Sequence, residues 1–151
     1  MTDVLQTEQR TIAPGQSMQK DRLQVLVIED DVSLRGVLVE ALEAEGYTVR
    51  ATNEGAEALG WLADTVPDVV LLDMVMPAAE VDGFEFIARL KTCPQQVREV
   101  PLVLLSALGP SLSAAIDARS ASALNIVWVV AKPCDLSELL SVVRAAGERK
   151  R

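Results

Sequence analysis

Two kinds of segment alternate along the chain. Short continuous apolar runs have the length of buried strands, and longer stretches repeat apolar residues at helical spacing. The runs predict five strands, at Leu23–Ile28, Tyr47–Ala51, Val69–Leu72, Val100–Leu105 and Ile126–Val130. Continuous apolar runs are typical of parallel strands that helices cover on both faces. The pattern therefore predicts an α/β domain with a parallel sheet.

A helix is predicted after each strand. The five helices are expected around residues 34–42, 54–63, 84–91, 111–124 and 136–143. Gly46 is expected to end the first, because glycine readily adopts the left-handed conformation of a helix C-cap. Asn53 is the predicted cap of the second helix and Asp82 of the third. Asp135, with Glu138 three residues on, resembles a capping box for the fifth.

The domain boundaries follow from where this alternation starts and stops. Residues 1–22 are polar and lack apolar periodicity, so we expect a flexible tail. Residues 23–147 are the predicted domain, and residues 148–151 form a short basic tail. The first twenty residues lack the apolar core of a signal peptide, and no apolar run reaches the ~20 residues that span a bilayer.

Polar side chains stand where four of the predicted strands end. They are Glu29, Asp30, Asp73, Ser106 and Lys132. The carboxyl ends of parallel strands meet at one edge of a doubly wound sheet, and ligands bind at that edge. We therefore expect carboxylates, a hydroxyl and an ammonium group to share one pocket. Clustered carboxylates repel each other unless a cation joins them, and Mg²⁺ prefers such oxygen ligands. One carboxylate could then attack phosphorus and become an acyl phosphate.

Composition narrows the functional classes. The net charge of −8 disfavours binding to nucleic acid or to anionic membranes. The absence of histidine excludes Ser-His-Asp catalysis and every His-ligated metal site. Cys93 and Cys134 are too far apart for a redox CxxC, and we interpret both as reduced thiols. These features, with the lack of a targeting segment, predict a cytoplasmic protein.

The sequence resembles a known family, the receiver domains of bacterial two-component response regulators. The resemblance covers about residues 23 to 147. It rests on five motifs in order, which are Val25–Asp31, Leu72–Pro77, Asp82–Glu85, Ser106–Ala107 and Ala131–Pro133. It implies a single (βα)₅ domain, flavodoxin-like, with strand order 2-1-3-4-5.

The resemblance also implies a role for each residue at the strand ends. Asp73 would be the phosphorylated aspartate. Asp30 and Asp73 would ligate Mg²⁺ through their carboxylates, Val75 would do so through its backbone carbonyl, and Glu29 would reach the metal through water. Ser106 would be the switch hydroxyl that turns toward the phosphoryl group, and Lys132 would pair with a phosphoryl oxygen.

The sequence departs from the family pattern in three places. Residues 78–81 lengthen the loop between Pro77 and Asp82. The stretch from Ser106 to Lys132 is a few residues longer than usual. Val129 stands where the family has a switch aromatic, and the neighbouring Trp128 should point to the opposite face of its strand. The usual coupling between hydroxyl and aromatic is therefore not expected in its ordinary form.

These observations predict a phosphoacceptor protein. A sensor histidine kinase or a phosphotransfer protein would supply the phosphoryl group. We expect no output domain after residue 147, and therefore a stand-alone regulator that binds another protein or dimerises, a phosphate sink, or an intermediate in a relay. It would not turn over a small-molecule substrate.

Three alternative functions make different demands on these residues. An alternative is a receiver-shaped interaction module that works without phosphorylation. An aspartate-nucleophile phosphatase would need a second acid where Val75 stands. A flavodoxin-type cofactor carrier would not place acids after its first strand, because they would repel the phosphate.

Overall fold

The computed structural model describes residues 22–108, 111–112, 116 and 122–150. Its strands are β1 (Gln24–Ile28), β2 (Thr48–Thr52), β3 (Val69–Asp73), β4 (Leu102–Ser106) and β5 (Ile126–Ala131). All four pairings are parallel, and the order is β2-β1-β3-β4-β5. The predicted flavodoxin-like α/β fold and its strand order are confirmed.

Helices alternate with these strands. They are α1 (Val32–Ala44), α2 (Gly55–Leu62), α3 (Gly83–Leu90), α4 (Gln95–Arg98) and α5 (Leu136–Lys150). Helix α4 was not predicted, because its four residues are too few for a visible period. The helix predicted within 111–124 lies mostly outside the described residues, as do residues 1–21 of the predicted tail. Helix α5 continues past the predicted boundary at Gly147. No helix among the described residues is both long and apolar enough to cross a bilayer.

The sheet separates two apolar layers. One layer receives buried side chains from α2 and α3, including Leu62 and Phe86. The other receives Leu38 of α1 and Val143 of α5. Strands β3 and β4 are buried at every position, because helices cover both of their faces. This packing fixes the carboxyl edge of the sheet, where the candidate site lies.

Most of the predicted helix ends are confirmed. Gly46 has a φ of 97°, and Asp82 accepts a hydrogen bond from the amide of Glu85. Asp135 accepts from the amides of Ser137 and Glu138. The prediction of Asn53 as the cap of α2 was wrong: the helix is capped by Glu54, whose carboxylate accepts from the amide of Ala56 at 3.2 Å.

Strand β5 is an edge strand with an irregular register. Leu102 pairs with Ile126, but Val103 pairs with Trp128, so Val127 is the extra residue of a bulge. Trp128 is 54% exposed, whereas Val129 packs against the layer that holds α2 and α3. The tryptophan therefore does not take the place of the missing aromatic, as the sequence indicated.

Candidate functional site

Three carboxylates meet at the carboxyl edge of the sheet. Glu29 and Asp30 directly follow β1, and Asp73 ends the adjacent strand β3. One carboxylate oxygen from each of the three lies within 4.8 Å of the other two. Glu29 and Asp73 are fully buried at 0% and 2% exposure, and Asp30 is half-buried. The structure thus brings together the acidic cluster that the sequence predicted.

Lys132 supplies the positive charge of the pocket. Its Nζ lies 2.9 Å from Glu29 Oε1 and 3.2 Å from Asp73 Oδ2. The peptide bond between Lys132 and Pro133 is cis, a point that the sequence left open. The two contacts are close enough for ion pairs, yet neither carboxylate oxygen has a well-directed hydrogen bond from the described residues. One ammonium group therefore leaves two buried carboxylate oxygens incompletely satisfied.

The pKa values of the pocket reflect this imbalance. Burial raises the pKa of Asp73 to about 7, and the neighbouring Glu29 carboxylate adds to the rise, while Lys132 opposes it. Burial lowers the pKa of the Lys132 ammonium, but Glu29 and Asp73 outweigh that effect and the net shift is upward. Desolvation and like charge both favour the neutral form of an acid. Negative charge thus exceeds positive charge around Asp73, and a further cation would offset that excess.

The donor set fits a divalent metal. The cluster of Glu29, Asp30 and Asp73 could hold a metal ion, as in receiver domains. Hard cations such as Mg²⁺ take carboxylate and carbonyl oxygens. The buried oxygens of Glu29 and Asp73, which share one ammonium group and have no well-directed hydrogen bond, are the observation that supports this fit.

The backbone around the acids is held by hydrogen bonds. The amide of Val75 donates to Asp73 Oδ1 at 3.3 Å, and the amide of Asp31 donates to Glu29 Oε2 at 3.1 Å. The side chain of Asp31 also caps α1 by accepting from the amide of Leu34. Asp31 is therefore a helix cap rather than a member of the acidic cluster.

Ser106 ends β4 and is buried. Its neighbour Leu105 pairs in register with Asp73, and the backbone carbonyl of Ser106 accepts from the amide of Lys132 at 3.0 Å. Its hydroxyl oxygen accepts from the amide of Leu108 at 3.0 Å. The side chains of Val75 and Leu108 are about half exposed, at 49% and 47%. Each follows a strand-end polar residue by two positions, so both belong to loops at the site's edge of the sheet.

Sequence reasoning missed two residues that support this edge. The guanidinium of Arg35 donates to the backbone carbonyl of Glu29 at 2.9 Å. Glu54 accepts hydrogen bonds from two amides in the loop that follows Asp73. Arg35 lies one helical turn after the acidic motif, a spacing that could have indicated it. The contacts of Glu54 span 26 and 27 residues and have no local signal.

Comparison with known proteins agrees with this geometry. The family model of the response regulator receiver domain matches residues 25–144. The chain is 34% identical over 128 residues to the DNA-binding transcriptional regulator NtrC of Rhizobium meliloti, covering 84% of this chain and 25% of that protein. It is 33% identical over 129 residues to the response regulator MprA of Mycobacterium ulcerans, covering 85% of this chain and 52% of that protein.

A solved structure shows the same architecture. The signal receiver domain of a signal transduction histidine kinase from Syntrophus aciditrophicus matches with a TM-score of 0.67 and 29% identity. The match covers 83% of this chain and 90% of that one. The chain spans only a quarter to about half of the curated relatives named above. With its acidic pocket typical of phosphoacceptor sites, the chain belongs to the response regulator receiver domain family, a family of signalling modules rather than metabolic enzymes.

Proposed function

We propose that this protein accepts a phosphoryl group on Asp73 and signals through a change in its contacts with another protein. The observation that carries the proposal is the buried Asp73 carboxylate, which lies within reach of two further carboxylates and of Lys132. A buried carboxylate that is incompletely hydrogen-bonded, at the carboxyl edge of a parallel sheet, is suited to nucleophilic attack.

The proposed step is a phosphoryl transfer from a phosphohistidine. A carboxylate oxygen of Asp73 attacks phosphorus, a P–O bond forms, and the P–N bond to the imidazole breaks. The electron pair of that bond stays with the imidazole nitrogen, which takes a proton. Positioning and charge stabilisation dominate catalysis of such transfers. Both are supplied here by fixed groups at the ends of neighbouring strands.

Each residue of the site has a proposed role. Asp30, Asp73 and the backbone carbonyl of Val75 would hold Mg²⁺, with Glu29 acting through water, and the bound ion would neutralise phosphoryl oxygens. Lys132, already between the two buried carboxylates, pairs with a phosphoryl oxygen once Asp73 is modified.

Ser106 is the proposed switch hydroxyl. It gives up the amide of Leu108 and donates to the new phosphoryl group. Reorganisation of this hydrogen bond would move the loop after β4 and so alter the surface seen by a partner.

The proposed partners follow from this chemistry. Receiver domains partner with histidine kinases, and we propose that a sensor kinase or a phosphotransfer protein supplies the phosphoryl group. The acidic character of the chain, −8 in net charge, supports a protein target rather than nucleic acid or an anionic membrane. We assign this activity to residues 23–147, which include the whole pocket.

Labelling by a small phosphodonor tests the proposal. The purified protein is incubated with acetyl phosphate, with Mg²⁺ or with a chelator, and intact mass reports the addition of one phosphoryl group. Asp73→Asn should abolish the Mg²⁺-dependent addition, because the amide cannot form a stable acyl phosphate. Asp68→Asn is the matched control, since Asp68 precedes the same strand at its opposite end, where its side chain accepts from the amide of Gln24.

The outcomes separate the proposal from its rival. Labelling of the parent and of Asp68→Asn, but not of Asp73→Asn, supports phosphorylation at Asp73. A parent that stays unlabelled in Mg²⁺ favours an interaction module that works without phosphorylation. Equal labelling of Asp73→Asn would show that the phosphoryl group is carried elsewhere.

A further inference from the structure

Glu54 holds the loop that follows Asp73. The loop, residues 74–82, joins β3 to α3 and contains the extra residues 78–81. Glu54 Oε2 accepts from the amide of Glu80 and Oε1 from the amide of Val81, each at 2.8 Å. In return, the amide of Gly55 donates to the carbonyl of Val81 at 3.1 Å. We call these three hydrogen bonds the loop clamp.

The loop clamp lies in close packing. A Cβ at Gly55 would come within 2.5 Å of the carbonyl oxygen of Val81, so only glycine fits without a shift. The side chains of Val81 and Met76 are buried, and the amide of Ala79 donates to the carbonyl of Met76. The loop is therefore compact, and Glu54 binds it from a different segment of the chain.

The turn between β2 and α2 makes hydrogen bonds on both sides of the acidic pocket. The carbonyl of Thr52, at the end of β2, accepts from the amide of Glu29 at 3.0 Å. Two residues later, Glu54 binds the loop that begins just after Asp73. The turn between β2 and α2 thus links the backbone that carries Glu29 to the backbone that carries Val75.

The carboxyl group of Glu54 is ionised, and its negative charge strengthens the hydrogen bonds to the loop. Hydrogen bonds from the amides of Glu80 and Val81 lower the pKa of its carboxyl, so it is ionised at neutral pH. Bonds from amides to a carboxylate are stronger than bonds between neutral groups. Glu54 is half-buried and has a third amide donor, Ala56 at the start of α2, at 3.2 Å, so its carboxylate joins the loop to that helix.

We propose that Glu54 is a positioning residue for the phosphoacceptor site. It acts by holding the 74–82 loop so that the backbone of Val75 stays in place beside Asp73. This role rests on the proposed function, because it concerns the same metal and phosphoryl site. Loss of the loop clamp weakens Mg²⁺ binding without removing any ligand.

Glu54→Asp is the most selective test. Aspartate keeps the negative charge and is a good helix N-cap, but its carboxylate is one methylene shorter and cannot cap α2 and reach the loop together. Glu57→Asp is the matched control, because it shortens another carboxylate at the start of the same helix by one methylene and also keeps the charge. The Glu57 side chain accepts from the hydroxyl of Thr52, and none of its described hydrogen bonds reaches the loop.

Two measurements report on the loop clamp. Amide hydrogen exchange should accelerate about tenfold or more at residues 80 and 81 in Glu54→Asp. The Mg²⁺ concentration for half-maximal labelling by acetyl phosphate should rise roughly three- to tenfold, with the rate at saturating Mg²⁺ nearly unchanged. Glu57→Asp should resemble the parent in both measurements.

The possible results distinguish the positioning role from the proposed function. Faster exchange with an unchanged Mg²⁺ requirement would make Glu54 a structural residue only and overturn the positioning role. Unchanged exchange would show that the loop is held without Glu54. A parent that shows no Mg²⁺-dependent labelling would refute the proposed function itself, and the positioning role with it.

Discussion

The raised pKa of Asp73 predicts how the stability of the metal-free protein depends on pH. A rise from 3.8 to about 7 corresponds to a cost of about 4 kcal/mol for ionising the folded protein. Between these values the folded state holds a proton that the unfolded state has lost. The free energy of unfolding therefore falls as the pH rises through this window, and it levels off above about pH 7.

Asp73→Asn isolates this contribution, because the amide does not titrate. Between pH 5 and pH 8, we expect the free energy of unfolding of the parent to fall by about 2–3 kcal/mol relative to that of Asp73→Asn. Urea denaturation in a chelator at several pH values measures both proteins. Saturating Mg²⁺ should reduce the fall in the parent, since the ion binds the ionised carboxylate. Parallel pH profiles for the two proteins in the chelator would refute the reasoning.

Three further predictions concern single positions. Asp30→Ala should raise the metal-free free energy of unfolding by about 1 kcal/mol, because it removes like charge, and should weaken Mg²⁺ binding; a lower melting temperature in a chelator would contradict this. Val75→Asn should shorten the lifetime of phospho-Asp73 severalfold in a decay assay in Mg²⁺ buffer, because a polar side chain at this half-exposed position can orient the attacking water; decay no faster than in the parent would count against it. Gly83→Ala should lower the free energy of unfolding by about 2–3 kcal/mol in urea denaturation, since the added Cβ would lie 2.4 Å from Met74 Cα. Gly60→Ala is the control, because a Cβ there meets open space and should be neutral or stabilising. Equal effects of the two changes would disprove the close-packing argument.

The sequence was sufficient for the sheet and for the acidic cluster. Strands β3 and β4 are buried on both faces, so their apolar runs were unambiguous, and their order followed from the family resemblance. Glu29, Asp30, Asp73 and Lys132 come together because strand ends in a parallel sheet share one edge. The strands and the cluster could thus be predicted from local pattern and chain topology, whereas the order of the strands needed the resemblance.

The cap of α2 shows where such rules fail. Asparagine is a preferred N-cap and glutamate is not, so the local pattern favoured Asn53. Glu54 caps α2 instead, and its carboxylate also meets the amides of Glu80 and Val81. This contact depends on a loop far along the chain. The bulge at Val127 has a similar origin, because the pairing of β5 with β4 is set by packing rather than by the period of the strand.

The place of Lys132 in the chain has a consequence for how the protein is made. The acids lie on β1 and β3, whereas the lysine follows β5, the last strand and an edge strand. On the ribosome, Asp73 therefore emerges roughly 60 residues, or a few seconds, before Lys132. Until then the three carboxylates lack Lys132, the ammonium group that contacts Glu29 and Asp73 in the folded protein. We therefore expect early docking of β1 against β3 to be opposed by the like charges at their ends until β5 is in place, and a divalent cation held by the acidic cluster would reduce that repulsion.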